Sequence, residues 1–412
     1  MRNTFGLLGE KLGHSFSPMI HSYLGDYEYT LHEVSPDALD AFMTGRQFNG
    51  INVTIPYKQA VIPYCASLSD EARAIGSVNT IIKDEKGLLH GHNTDYYGFC
   101  EMLRRGKINP ARKKVLVLGS GGASRTVIAA LQRMDTREIV TISRRGENNY
   151  NNLERHFDAE IIVNTTPVGM YPDNGNSPLS LEGFRQLTGF ADLIYNPART
   201  KLLIDAGRFG IPFVNGLTML VAQAGMASHL FTNGPAKPEI IGTIVDTIEK
   251  RTRNIALIGM PGCGKSTVGK VLAALMERPF ADIDELIEAE AGKSIAEIFA
   301  EDGEESFRKL ETSILSDESK KSGIVIAAGG GVVTRQENYD LLHQNSLIVY
   351  IKRDLSQLIT DGRPLSQTVG IQSLAEKRLP LYEEWSDCCV CQENSPLDTP
   401  ERTAERILEA LK

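Results

Sequence analysis

The chain has 412 residues, of which 42% are hydrophobic and 23% charged, and its formal net charge is −8. This length predicts roughly two or three domains, because a single core stops growing before that size. No apolar run reaches the roughly 18 residues that cross a bilayer, and the N-terminus lacks the apolar stretch of a signal peptide. No basic stripe suggests nucleic-acid binding. We therefore expect a cytoplasmic protein that acts on small molecules, with no membrane or nucleic-acid partner; its oligomeric state stays open.

Six cysteines in so long a chain do not form the disulfide framework of a small secreted protein, so we expect them to be reduced. The CCVC cluster at 388–391 has the residue type of a metal site but lacks a second ligand pair at finger-like spacing. We therefore interpret it as part of a strand or core and predict no structural zinc.

Apolar segments alternate with helical patterns along the chain, which predicts an α/β fold. INVTI and VNTII mark strands in the first 100 residues, and VLVLG opens a run of βα units near residue 115. A short charged segment, KRTRN, precedes the strand NIALIG, so we place the main domain boundary near residue 252. The predicted domains are an α/β substrate domain over 1–100, completed by helices at about 216–250, a Rossmann domain over 101–215, and a P-loop α/β domain with a central parallel sheet over 254–412.

The first of two glycine-rich loops, GSGGASRT at 119–126, follows the strand VLVLG and opens a helix. In that context glycines let the backbone approach a pyrophosphate, and the helix N-terminus supplies donors. The next strand ends in Ser-Arg-Arg instead of the acid typical of NAD sites, which favours NADP; two solvated surface arginines are the alternative. The predicted cofactor contacts here are Gly119, Gly121, Gly122, Ala123, Ser143, Arg144 and Arg145.

Six motifs across the first 250 residues closely resemble those of the shikimate dehydrogenases. They are GHSFSP at 13–18, NVTIPYK at 52–58, SVNT at 77–80, HNTDYYG at 92–98, YNPART at 195–200 and GLTMLVAQA at 216–224. Taken singly, such residues also have plain structural interpretations, such as a helix cap or a turn former. Their order along the chain favours the family.

This resemblance implies a catalytic pair, Lys58 and Asp95. A ketone that receives hydride develops charge on oxygen, which a cation held beside a carboxylate can stabilise and protonate. The implied substrate contacts are Ser15, Ser17, Thr54, Asn79, Asp95, Tyr195 and Gln223, and further implied cofactor contacts are Thr165, Gly216 and Met219. The family often has Asn-Arg-Thr where this chain has Ser-Arg-Arg, which keeps one matching arginine and leaves the exact phosphate contacts open. Oxidation of quinate with NAD is an alternative that the paired arginines disfavour.

The second loop, GMPGCGKST at 259–267, fits the phosphate-loop pattern G-x-x-x-x-G-K-[ST] after a strand and before a helix. Its backbone amides would cradle phosphates, its lysine would reach the β and γ oxygens, and its serine would bind Mg²⁺. The predicted ATP contacts are Gly262, Cys263, Gly264, Lys265, Ser266 and Thr267.

Two acids follow in FADIDELI. At a strand end, Asp282 and Asp284 would project to one side, one toward the magnesium and the other toward the attacking hydroxyl. An acidic helix start is the alternative. Further along, we predict a capping box from Ser294 to Glu297 before Arg308.

Residues 254–412 closely resemble the shikimate kinases through the P-loop and the segments FADIDELI, ESFRKLE, AAGGGVVT, DGRPLS and KRLPLYEE. The resemblance implies that shikimate is bound by Asp284, Arg308, Gly330 and Arg378, with the two arginines clamping its carboxylate. It implies catalytic roles for Asp284, Lys265 and the lid residue Arg363. An arginine that many members carry before the lid to stack on adenine is not evident.

Together the two resemblances imply a bifunctional enzyme. NADPH would reduce 3-dehydroshikimate to shikimate, and Mg²⁺-ATP would then phosphorylate shikimate at its 3-hydroxyl. A competing hypothesis makes the C-terminal module a non-catalytic nucleotide sensor attached to an active dehydrogenase.

Overall fold

A computed structural model describes residues 4–13, 15–359, 370–392 and 399–411. The chain forms two compact units. The first comprises Met1–Val168, Ser177–Tyr195 and Asp205–Thr247, and the second comprises Gly169–Asn176, Asn196–Ile204 and Ile248–Lys412. Within the part of the chain that is described, no helix is long and apolar enough to cross a membrane.

The N-terminal part of the first unit is built on a mixed six-stranded sheet. Its strands are β1 Thr4–Gly9, β2 Glu28–Glu33, β3 Gly50–Val53, β4 Ser67–Leu68, β5 Thr80–Lys83 and β6 Leu89–His92, and its helices are α1 Ser17–Leu24, α2 Leu39–Gly45, α3 Asp70–Ile75 and α4 Asp95–Arg105. The strand order is β2-β1-β3-β5-β6-β4, with β5 antiparallel to both neighbours. Every residue of β3 is buried, as expected for an apolar strand in the middle of a covered sheet.

The second sheet is entirely parallel, as predicted for a Rossmann domain. Its strands are β7 Lys114–Leu118, β8 Glu138–Ile142, β9 Ile161–Asn164, β10 Gly189–Asp192 and β11 Phe213–Val214, with α5 Gly122–Gln132 and α6 Lys201–Arg208. The order β11-β10-β9-β7-β8 reverses between β9 and β7. Ligands of doubly wound sheets bind at this switch point, and the loop that follows β7 lies there. Two long helices come next, α7 Leu217–Thr232 and α8 Pro238–Thr252.

The third sheet begins two residues after α8 ends and is also entirely parallel. Its strands are β12 Asn254–Ile258, β13 Phe280–Asp282, β14 Val325–Ala327, β15 Ser346–Lys352 and β16 Cys388–Cys391, and its helices are α9 Lys265–Leu275, α10 Ile283–Ala291, α11 Ile295–Glu301, α12 Gly303–Ser319, α13 Gln336–His343, α14 Ile371–Trp385 and α15 Pro400–Ala410. The order β13-β14-β12-β15-β16 has its switch point beside β12, directly before the P-loop.

Two local predictions in this unit are confirmed. The CCVC segment is strand β16. Ser294 accepts from the amide of Glu297 while the Glu297 side chain returns to the Ser294 amide, which is the predicted capping box at the start of α11.

Candidate active sites

Lys58 and Asp95 lie side by side in the first unit. Lys58 follows β3 in a turn, and Asp95 is the first residue of α4. The Lys58 Nζ atom lies 2.6 Å from Asp95 Oδ2, and the side chains are 31% and 16% exposed. The fold therefore brings the predicted cation and carboxylate into direct contact at a place that a ligand can reach.

Two predicted amide residues are anchored next to this pair through Thr94. Asn79 Oδ1 accepts from the Thr94 backbone N–H at 2.7 Å, and Asn79 Nδ2 donates to Thr94 Oγ1 at 3.0 Å. Gln223, on α7, contacts the same hydroxyl through Oε1 at 3.4 Å. Because Thr94 immediately precedes Asp95, these bonds fix the two amides relative to the ion pair.

The predicted serines and Tyr195 form a second cluster. Ser15 Oγ accepts from the Ser17 N–H at 3.2 Å, and the Tyr195 ring lies 5.8 Å from the ring of Phe16, which separates the serines in sequence. Burial raises the pKa of the Tyr195 phenol, so it stays protonated and able to donate. Thr54 is half-buried and directly follows β3.

The first glycine loop has the shape that a dinucleotide needs. Gly119 has a φ of +102°, and a Cβ there would lie 2.9 Å from Thr165 Oγ1, so only glycine fits. A Cβ on Gly121 or Gly122 would meet nothing within 4 Å, which leaves open space in front of the first turn of α5. This cradle fits a pyrophosphate at a helix N-terminus.

The other residues predicted to contact the cofactor lie in the first turn of α5, just beyond β8 and at the start of α7. Ala123 is exposed in the first turn of α5, and Arg144 and Arg145 are exposed just beyond β8 with Ser143 half-buried before them. Gly216 is the N-cap of α7, and Met219 lies in its first turn. Two adjacent guanidinium groups beyond the second strand suit a 2′-phosphate.

The P-loop of the second unit joins β12 to α9. Gly262 and Gly264 have φ values of +82° and +94°, which a residue with a side chain adopts only with strain. Lys265 Nζ donates to the carbonyl oxygens of Gly259 and Met260 at 3.0 and 3.1 Å. The loop thus holds its cation over its own backbone, where it can move to a phosphate oxygen.

A cavity of about 540 Å³ contains both the P-loop and the predicted acceptor residues. Its lining includes Gly262, Gly264, Lys265, Ser266, Thr267, Asp282, Asp284, Arg308, Gly330 and Arg378. Ser266 and Asp282 offer oxygen ligands beside the P-loop, which is the donor set that Mg²⁺ prefers alongside phosphate oxygens. Cys263 is buried in the loop and packs in the core instead.

The prediction that Asp282 and Asp284 project to one side at a strand end is wrong. Strand β13 ends at Asp282, whose Oδ1 caps α10 by accepting from the amides of Asp284 and Glu285 at 3.0 and 3.4 Å. Asp284 therefore lies in the first helical turn, and the two-residue alternation of a strand does not apply to it. Both side chains still line the cavity because the chain turns into the helix there.

Burial raises the pKa of Asp284 to about 6, opposed by the positive charge of Lys265. A carboxyl group with this pKa is ionised at neutral pH and can accept a proton from a hydroxyl during reaction. This is the ionisation behaviour that a general base near neutrality requires.

Arg308 and Arg378 approach the cavity from two helices, α12 and α14. Arg308 Nη1 donates to Glu311 Oε2 at 2.7 Å, and Arg378 Nη1 donates to the Gly330 carbonyl at 3.2 Å. Burial lowers the pKa of the Arg378 guanidinium, which still remains charged. Two buried cations on different elements can hold one carboxylate.

Glu311 was missed by the sequence analysis. Its side chain is fully buried, and its Oε1 atom has no hydrogen-bond partner among the described residues. The spacing Arg308-x-x-Glu311 on a helix was an available signal, because residues three apart face the same side.

Arg353, directly after β15, also lines the cavity and was not expected there. A cation at the carboxyl end of a central parallel strand was the signal for it.

Arg363, predicted in the lid, lies outside the described residues.

Comparison with known proteins identifies a family for each part of the chain. Residues 7–81 match the model of the shikimate dehydrogenase substrate binding domain, and residues 261–412 match that of shikimate kinase. The NADP(+) shikimate dehydrogenase of Clostridium perfringens is 39% identical over 249 residues, covering 55% of this chain and 91% of that protein.

Solved structures give the same result for the N-terminal part. A chorismate mutase/shikimate 5-dehydrogenase fusion protein from Clostridium acetobutylicum is 35% identical, with a TM-score of 0.58 over 60% of this chain and 98% of that one. The shikimate 5-dehydrogenase of Thermus thermophilus in complex with NADP(H) and shikimate is 32% identical, with a TM-score of 0.54 over 60% and 99% of the two chains.

Proposed function

Since this chain belongs to the shikimate dehydrogenase family and carries a shikimate kinase domain at 261–412, we propose that it performs two consecutive reactions on one ring oxygen. The first reduces 3-dehydroshikimate to shikimate with NADPH. The second transfers the γ-phosphoryl group of ATP to the hydroxyl that the reduction creates.

For the reduction, NADPH supplies the hydride when bound. The Lys58 ammonium donates a proton to the oxygen on which negative charge develops, and Asp95 holds that ammonium in place at 2.6 Å. Ser15, Ser17 and Tyr195 bind the carboxylate side of the substrate. Exposed Arg144 and Arg145 bind the 2′-phosphate of the cofactor, which supports NADP over NAD.

Asn79 and Gln223 hold the ring hydroxyls, and Thr54 adds a hydroxyl contact from the end of β3. The bonds that Asn79 and Gln223 make to Thr94 support this assignment, since they place both amides beside the Lys58–Asp95 pair. Substrate that is fixed by both ends presents its carbonyl to the ammonium in one orientation.

For the phosphorylation, Arg308 and Arg378 clamp the shikimate carboxylate, and Asp284 accepts the proton of the 3-hydroxyl. Lys265 binds the β and γ oxygens of ATP. Ser266 and Asp282 would hold Mg²⁺, which would supply neutralisation of the phosphate charge. Glu311 keeps the Arg308 guanidinium in position through its 2.7 Å bond.

The observation that carries the kinase assignment is that Asp284, Arg308 and Arg378, which lie on three helices, line the same cavity as the P-loop. A nucleotide sensor needs the loop but has no use for an arginine clamp and a carboxyl group whose pKa is near 6.

The purified chain, supplied with 3-dehydroshikimate, NADPH, magnesium and ATP, is the test. We expect NADPH loss followed by ADP release, with ADP release dependent on NADPH unless shikimate is added directly. NADPH loss without an ATP-dependent product would remove the kinase proposal and favour a nucleotide sensor. Faster turnover of quinate with NAD would favour the quinate alternative.

A further inference from the structure

A chain of buried polar side chains crosses the sheet from β2 to α4 beneath the predicted substrate residues. Tyr29 Oη donates to Asn52 Oδ1 at 2.8 Å, and Asn52 Nδ2 donates to Thr80 Oγ1 at 3.0 Å. The Thr80 hydroxyl contacts Asn79 Oδ1 at 3.2 Å and Thr94 Oγ1 at 3.1 Å. The chain thus ends on Asn79, one of the two amides beside the ion pair, and on Thr94, which anchors both of them.

These groups are shielded from water. Asn52, Asn79, Thr80 and Thr94 are each at most 5% exposed. A buried amide or hydroxyl that loses its partner pays a desolvation cost that water does not offset, so each bond constrains the next one.

Tyr29 is at the start of this chain and has no role in the proposed mechanism. Its ring stacks on His21 with a centroid separation of 3.8 Å and an interplanar angle of 12°. Burial raises the pKa of the Tyr29 phenol well above its usual value, and the nearby Ser17 hydroxyl opposes that shift. Burial also lowers the pKa of His21 to about 3, so both rings are neutral at working pH.

Two contacts orient the Asn52 amide: its Oδ1 accepts the Tyr29 O–H proton, and its Nδ2 also donates to the Asn79 backbone carbonyl at 3.4 Å. Because that proton goes to Asn52 Oδ1, the amide nitrogen must face Thr80, as it does. The Thr80 oxygen then accepts from Asn52, which leaves the Thr80 proton for Asn79 Oδ1 or Thr94. Without the phenol proton Asn52 Oδ1 loses its donor, and the amide is held only through Nδ2, by the 3.4 Å bond to the Asn79 carbonyl and the 3.0 Å bond to Thr80.

We propose that Tyr29 is a positioning residue for the reduction, which sets the orientation of the substrate-holding Asn79 amide through Asn52 and Thr80. The inference rests on the proposed dehydrogenase function and adds a residue, remote from the hydride-accepting carbon, that tunes how tightly 3-dehydroshikimate is held. Its effect falls on substrate binding, because the Lys58–Asp95 pair is not a member of this hydrogen-bonded chain.

The test is Tyr29→Phe in the full-length protein, with Tyr27→Phe as the matched control. Both substitutions remove one phenolic hydroxyl near His21, but Tyr27 Oη contacts His21 Nδ1 at 2.7 Å and does not touch Asn52 in the bonds described above. We expect Tyr29→Phe to raise KM for 3-dehydroshikimate roughly five- to tenfold and to change kcat less than about twofold. KM for NADPH and kinase activity on added shikimate should match the wild-type protein.

A second pair of variants tests the middle of the chain. Thr80→Val removes the hydroxyl and should reproduce the rise in KM for 3-dehydroshikimate, whereas Thr80→Ser, which keeps it, should restore the wild-type value.

Equal KM values for Tyr29→Phe and Tyr27→Phe would overturn the proposal. So would an equal loss of substrate binding, NADPH binding and thermal stability, because that pattern belongs to a purely structural tyrosine. Failure of the wild-type protein to reduce 3-dehydroshikimate with NADPH would instead contradict the proposed function itself.

Discussion

Asp95 in the first unit and Asp284 in the second are both carboxyl groups at the start of a helix, but their surroundings differ. Asp95 contacts a lysine ammonium at 2.6 Å. At Asp284, loss of hydration raises the pKa to about 6. The first acid is in direct contact with a cation, whereas the positive charges of Lys265 and Arg308 act on the second without outweighing its loss of hydration.

This difference fits what each proposed reaction asks of its carboxylate. Reduction of a ketone needs a proton donor, and a carboxylate in contact with an ammonium keeps that donor charged and oriented. Phosphoryl transfer from ATP needs an acceptor for the hydroxyl proton, and an acid with a pKa near neutrality is suited to that role. An aspartate thus supports proton donation in one proposed reaction and accepts a proton in the other, because its neighbours differ.

Substituting Lys58 with Ala gives the largest expected effect. We expect a loss of about 10²–10⁴-fold in the rate of NADPH-dependent reduction, since Asp95 would lose the cation that donates the proton. Phosphorylation of added shikimate should remain at the wild-type rate. The matched control is Lys86→Ala, an exposed lysine on the loop between β5 and β6. Equal loss of both activities would mean that Lys58 supports folding.

Substituting Lys265 with Ala tests the phosphorylation that is proposed for the second unit. We expect roughly a 10²–10³-fold fall in ADP release with shikimate, because one cation on the phosphates is lost. NADPH consumption should not change. Lys270→Ala on the same helix, whose Nζ pairs with Glu285 at 2.7 Å on the surface, is the control. Altered reductase kinetics in Lys265→Ala would favour a nucleotide sensor.

The pH dependence of phosphorylation should report Asp284. Below pH 6 this carboxyl group is protonated in the free enzyme and cannot accept a proton. We therefore expect kcat/KM for shikimate to fall about tenfold for each pH unit below that value. Asp284→Asn should remove both the activity and this limb of the profile, and a profile that is flat from pH 5 to 7 would exclude Asp284 as the base.

The smallest expected effect is that of Arg378→Lys. Lysine keeps the charge but loses the planar fork that holds a carboxylate, so KM for shikimate should rise roughly tenfold with little change in kcat. Steady-state kinetics with varied shikimate at saturating ATP would measure this. Lys377→Arg, its neighbour on the exposed side of α14, provides a matched control. A fall in kcat with unchanged KM would place Arg378 on the transferring phosphate.

Much of the fold and of the candidate sites was available from the sequence. Glycine loops after apolar strands located both switch points. The structure brings Lys58 and Asp95 into contact and places Arg308 and Arg378 in the lining of the P-loop cavity. The strand prediction for Asp284 failed because Asp282 caps a helix, a competition between strand period and side-chain capping that residue type alone does not decide.

Tyr29 was hidden because its contact with Asn52 depends on packing. The residues lie on β2 and β3, which both pair with β1, and this pairing brings the Tyr29 hydroxyl to the Asn52 amide. Contacts between elements that are far apart in sequence leave no local pattern to read.

Strand β16 has a practical consequence. Its exposed thiols, Cys389 and Cys391, come just before Gln392, which lines the cavity beside the P-loop, while Cys263 is buried. A thiol-reactive fluorophore attached to this strand would report nucleotide binding from a few residues away. Burial and the neighbouring Cys391 raise the pKa of Cys389 to about 11, so labelling of that thiol would need alkaline buffer.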